Sequence, residues 1–84
     1  PMLVVTQRSV YEVSFQNDKF LLKKAANTPA GMQSSGAYSR VPTPLVGREF
    51  VGASIELRLG GPMVLSDRHG KVIVRSTPVT RIDI

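Results

Sequence analysis

The chain predicts an all-β fold: a small single-domain barrel of about five to six short antiparallel strands with one long Pro/Gly/Ser-rich loop. Three observations carry this. Apolar residues recur at every second position in several short segments, turn residues separate those segments, and no segment sustains a helical period.

The first alternating segment runs from Ser9 to Phe15. Tyr11, Val13 and Phe15 share one face and Glu12 and Ser14 the other, with Val10 as the exception. Asn17 and Asp18 follow, residues that tolerate the left-handed conformations of a tight turn. Lys19 to Lys24 resume the alternation, with Phe20 and Leu22 on one face and Leu21 between Lys19 and Lys23 on the other. A hairpin is predicted here, and the best chance of a helical turn falls at Lys24 to Asn27.

The segment 25–47 changes character. It holds Pro29, Pro42 and Pro44, Gly31, Gly36 and Gly47, and the pair Ser34 and Ser35. A long loop of this kind inside a compact domain is commonly a functional excursion or disordered.

The last third is the most regular. Ala53, Ile55, Leu57 and Leu59 alternate with Ser54, Glu56 and Arg58, which predicts a two-sided strand ending at the turn dipeptide Gly60-Gly61. Met63 to Ser66 and Lys71 to Arg75 are the next two strands, joined by Asp67 to Gly70. A four-residue loop there sets Leu65 against Val72 and Met63 against Val74 on one face, and Val64 against Ile73 on the other. Apolar residues on both faces predict cover on both sides, by barrel closure or by a partner subunit. Pro78 should break or begin a strand, and Val79 to Ile84 read as a closing strand with Thr80, Ile82 and Ile84 inward. A sandwich needs more chain than this, so an SH3-like or OB-like barrel is expected.

The 84 residues make one domain, and a chain this short buries only roughly 60–65% of its unfolded surface. It has no cysteine, which excludes disulfides and thiolate chemistry and suits a reducing compartment, so a cytoplasmic location is expected. The apolar run Met2 to Val5 is too short for a signal core or a membrane span. Met2 is read as the natural start, with Pro1 a remnant ahead of it.

Catalytic chemistry finds no constellation. The single histidine, His69, falls in a turn beside Asp67, and the carboxylates Glu12, Asp18, Glu49, Glu56, Asp67 and Asp83 are scattered. Zinc wants three or four nitrogen or sulfur ligands in most sites. Gly60-Gly61 leads into Pro62 where a phosphate loop needs Lys and Ser or Thr. A non-enzyme without metal or small-molecule cofactor is therefore expected.

Charge leaves two binding readings open. The leading one is a binding or assembly module that self-associates, or meets a protein partner, through apolar strand faces centred on Val64 and Ile73. The alternative is a nucleic-acid-binding barrel. Eleven Lys and Arg against six Asp and Glu give a net charge of +5, a field that attracts polyanions. Its expected contacts are Lys19, Lys23 and Lys24 on the second strand, Arg40 and Arg48 beside the loop, and Tyr38 as the free stacking ring. No membrane partner is expected.

Overall fold

Residues 2–29 and 45–84 are described by the computed structural model. They form seven strands: β1 Met2–Thr6, β2 Ser9–Gln16, β3 Lys19–Asn27, β4 Glu49–Gly52, β5 Ser54–Glu56, β6 Pro62–Ser66 and β7 Val72–Asp83. All pair antiparallel in the order β4-β3-β2-β1-β7-β6-β5. The two outermost strands, β4 and β5, are separated in the chain by Ala53 alone. The segment 49–56 is thus one bent strand that lends its first half to β3 and its second half to β6. That bend curls the sheet into a barrel-like half-closed shell. Consecutive strands pair from β1 to β4 and from β5 to β7, and the first and last strands, β1 and β7, pair with each other.

The hairpin of β2 and β3 forms where turn chemistry puts it. Phe15 faces Phe20 and Gln16 faces Lys19, so Asn17 and Asp18 make the whole loop. Both take positive φ, 52° and 61°, the combination whose twist matches that of paired strands.

Alternation then fills the interior. Val4, Tyr11, Val13, Leu22, Met63, Leu65, Val74 and Val79 are buried in one cluster. Phe20, Phe50, Ile55, Leu57 and Ile82 pack against it. Phe15 has the parity of Tyr11 and Val13 but lies beyond the rim, and it is exposed.

Five points add to or correct these expectations. Met2 to Thr6 form a central strand between β2 and β7. Lys24 to Asn27 continue β3, so the loop expected over 25–47 loses its first residues to a strand and no helical turn forms there; residues 30–44 of that expected loop lie outside the described residues. The strand expected over 53–59 is regular only at Ser54–Glu56. Beyond it the chain crosses to β7, where Leu59 bridges Val79 in parallel and Gly60 N–H donates to Val79 O at 2.9 Å. Leu59 is therefore exposed.

The fourth correction is register. Leu65 faces Val74, Val64 faces Arg75 and Ser66 faces Val72, with an irregularity between Leu65 and Ser66. Val64 and Ile73 are consequently not opposite each other, because the loop is one residue longer than expected and a bulge absorbs the difference. Asp67 sets the loop: its N–H donates to Lys71 O, and its Oδ1 accepts from the N–H of His69 at 2.8 Å and of Lys71 at 2.9 Å. The fifth concerns β7, which runs unbroken through Pro78. Pro78 stands opposite Pro62, where neither needs to donate. A bulge against β1 between Val5 and Thr6 shifts the parity, so Val79 is buried and Ile82 half-buried while Thr80 and Ile84 are exposed.

Candidate functional site

The sheet's two halves present unlike outer walls. On the β1–β4 wall one cross-strand row runs Leu3, Glu12, Lys23, Glu49, all exposed. Lys23 therefore stands between two glutamates, and the three together carry one net negative charge. The next row is Ser14, Leu21 and Val51, with Val51 47% exposed. Asp83, opposite Leu3, takes the guanidinium of Arg81 at 2.9 Å.

The β5–β7 wall carries an open groove of about 850 Å³. Val64 and Val72 line it together with Glu56, Arg58, Arg75, Ser54, Ser66 and Gly70. Glu56 faces Val64, and Val64 faces Arg75. Arg58 lies back over the Gly60-Gly61 turn, since a Cβ on Gly61 would sit 2.8 Å from its Nε. Two guanidinium groups against one carboxylate leave the groove positive, with Lys71 exposed beside Gly70. The one cross-strand partner of the expected self-association pair that lines this groove is Val64; Ile73 sits at the bulge, 38% exposed, outside the groove lining.

At the rim below the Asn17-Asp18 turn is a second concavity of about 580 Å³, lined by Met2, Val13, Ser14, Phe15, Gln16, Phe20 and Ile84. The Phe15 and Phe20 rings meet at 4.8 Å and 53°. It holds no charged side chain.

Of the residues expected at a nucleic-acid surface, the four that are described take different settings. Lys19 is exposed beside Gln16, and Lys23 lies between its glutamates. Arg48 rests over the Phe50 ring, 5.4 Å from its centroid. Lys24 points the other way and is 1% exposed, in the inward row with Tyr11. Tyr38 and Arg40 lie outside the described residues.

Lys24 has no counter-charge in the chain. All six Asp and Glu are described residues, and among the described residues the one ion pair they form is that of Asp83 with Arg81. Burial accordingly pulls the Lys24 amine below its ordinary pKa. The buried Thr6 and Ser9 bond each other, whereas Thr77 Oγ1 is buried with no partner among the described residues. Thr6 Oγ1 donates to Ser9 O and accepts from Ser9 N–H, both at 3.0 Å. Burial pushes the Tyr11 hydroxyl up, opposed by its hydrogen bond with Ser9.

Among the described residues no three His, Cys, Asp or Glu side chains group as metal ligands, and no helix is long and apolar enough to cross a membrane. The fold and its walls define a small antiparallel barrel domain with two unlike outer faces. No family model, curated protein or solved structure matches the chain.

Proposed function

We propose that this domain is a non-catalytic assembly module of the cytoplasm that self-associates through apolar outer strand faces. The observation that carries the reading is the placement of large aliphatic side chains on the outside of regular strands. Leu3 and Val51 stand exposed on the β1–β4 wall and Val72 on the β5–β7 wall, at 51%. Single exposed apolar residues are ordinary, but patches framed by polar groups mark contact surfaces. Sedimentation velocity over rising concentration tests it: a concentration-dependent species larger than 9.1 kDa supports the reading, and a monomer at the highest concentration overturns it. Val64→Asp and Val72→Asp should each shift the distribution to monomer.

A second reading, a polyanion-binding barrel, draws on the cations of the β5–β7 side. Arg58, Arg68, Lys71 and Arg75 lie there against Glu56 and Asp67, and Asp67 is already engaged by its own turn. The contacts in this reading move from β3 to that side.

A further inference from the structure

We infer that two copies of this chain pair edge to edge through β4, antiparallel across a two-fold axis, so that the β1–β4 half of the sheet continues into its twin. This rests on the self-association reading above and names the strand that makes the contact.

Backbone hydrogen bonding locates the edge. Successive residues of a strand aim their N–H and C=O to opposite sides of it. Lys24 N–H donates to Arg48 O at 3.2 Å and Gly47 N–H donates to Lys24 O at 2.8 Å, so Lys24 aims toward β4. Leu22 and Phe20 follow by alternation, and their partners Phe50 and Gly52 aim back at β3. Glu49, Val51 and Ala53 therefore aim the other way. Ala53 N–H finds Ser66 O at 2.8 Å, where β6 ends. Glu49 and Val51 lie past that end, and among the described residues nothing bonds their outward N–H and C=O. An unpaired row of this kind is a template for another strand. The β3–β4 register has no irregularity and β4 has no proline, so nothing in the strand turns a partner away. Val51 beside it is 47% exposed.

The chemistry of the edge selects its occupant and the register. An antiparallel edge is its own complement about a two-fold axis. Outward groups must meet outward groups, which leaves three registers. Glu49 against Glu49 sets like charges directly opposite, which is destabilising. Val51 against Val51 brings Glu49 to Ala53, whose N–H already serves Ser66. Glu49 against Val51, centred on Phe50, uses the free groups of both copies and takes the carboxylates out of direct opposition. It also lays Val51 diagonally beside its twin, within reach across the strands.

A proline tests this on the whole chain. Val51→Pro removes an N–H that β3 does not use, and edge positions of this kind accept proline. Val51→Thr keeps the N–H and the branched side chain, and far-ultraviolet circular dichroism checks that both variants keep the fold. In sedimentation velocity the concentration for half-assembly should rise at least about tenfold for Val51→Pro and stay near the wild-type value for Val51→Thr. In the wild type, amide exchange at Glu49 and Val51 should slow as concentration rises, while Phe50 and Gly52 are protected at every concentration. That measurement needs no variant and decides the matter if Val51→Pro unfolds. Edge pairing is overturned, and self-association through the outer faces left standing, by any of four results in a wild type that assembles. These are fast exchange at Glu49 and Val51 in the assembled protein, a Val51→Pro that assembles like the wild type, equal weakening by Val51→Thr, or growth past the dimer at which a two-fold contact closes. A wild type that is monomeric at every concentration overturns both.

Discussion

Leu65 lies directly over Gly52. A Cβ built on that glycine would stand 2.6 Å from both Cγ and Cδ1 of Leu65 and 2.9 Å from the Ser66 carbonyl oxygen. Here the bent strand passes from β3 to β6, and Ala53 N–H donates to Ser66 O at 2.8 Å. The missing side chain is what lets the two halves of the sheet approach.

Gly52→Ala should therefore destabilise the fold by about 1–3 kcal/mol through overpacking. The Gly52 backbone is not in the left-handed region, so the effect is steric. Leu65→Ala alone should cost about 2–5 kcal/mol as a cavity. The double variant should be more stable than the sum of the two effects predicts. Urea midpoints read all three, and strict additivity would show that the residues do not compete for the same space.

Lys24→Met should stabilise the protein at neutral pH. Burial lowers the Lys24 pKa, so the charged amine carries a desolvation cost in the folded state, and methionine keeps the length without the charge. The folded-state pKa is below the ordinary 10.5, so between those two values the unfolded chain binds more protons than the folded one. Stability then rises with pH through that window and is lower, and flat, below the folded pKa. Lys24→Met should abolish that rise. Urea titrations at pH 7 and at a pH close to 10.5 decide it, and an equal rise in wild type and variant would place the responsible group elsewhere.

The same lysine shows how far the sequence is legible. Strict alternation sets Lys24 with Phe20 and Leu22, inward; its charge argues for the surface, and the backbone parity prevails. The β2–β3 hairpin is readable because Asn17 and Asp18 allow only a short list of conformations. Met2 to Thr6 are not readable as a strand, since a run of apolar residues at a chain end has no polar alternate to show a period. The faces of β7 and the register of Val64 are hidden by bulges, whose extra residues shift parity without a distinctive residue type. For the candidate surfaces, the residues were visible but their grouping was not. Lys23 meets Glu49 and Val64 meets Glu56 across strands that are far apart in sequence or joined by an irregular connection.

Asp67→Ala should loosen the β6–β7 loop. Its Oδ1 accepts two backbone N–H groups, and each such bond contributes about 0.5–1.5 kcal/mol net. The loss should appear as faster amide exchange at His69 and Lys71 with little change at Val79, since opening there is local. Unchanged exchange at both amides would mean that water replaces the carboxylate without penalty.

Nucleic-acid binding, where it occurs, should follow the cations' new positions. Lys24→Gln should leave it unchanged because that side chain lies in the inward row opposite Tyr11, and Lys23→Gln should do little because Glu12 and Glu49 flank that charge. Arg75→Gln with Arg58→Gln should weaken it most. The valine floor of the groove offers no stacking platform, so contact should be carried by phosphates. Affinity should fall with salt at a slope of roughly −0.7 per phosphate engaged on a single strand and vary little with base sequence. Fluorescence anisotropy of a labelled oligonucleotide, repeated at several salt concentrations, measures both quantities. Affinity that depends on Lys23 but not on Arg75 would move the contact to the β1–β4 wall, and strong base preference would require an aromatic ring outside the groove.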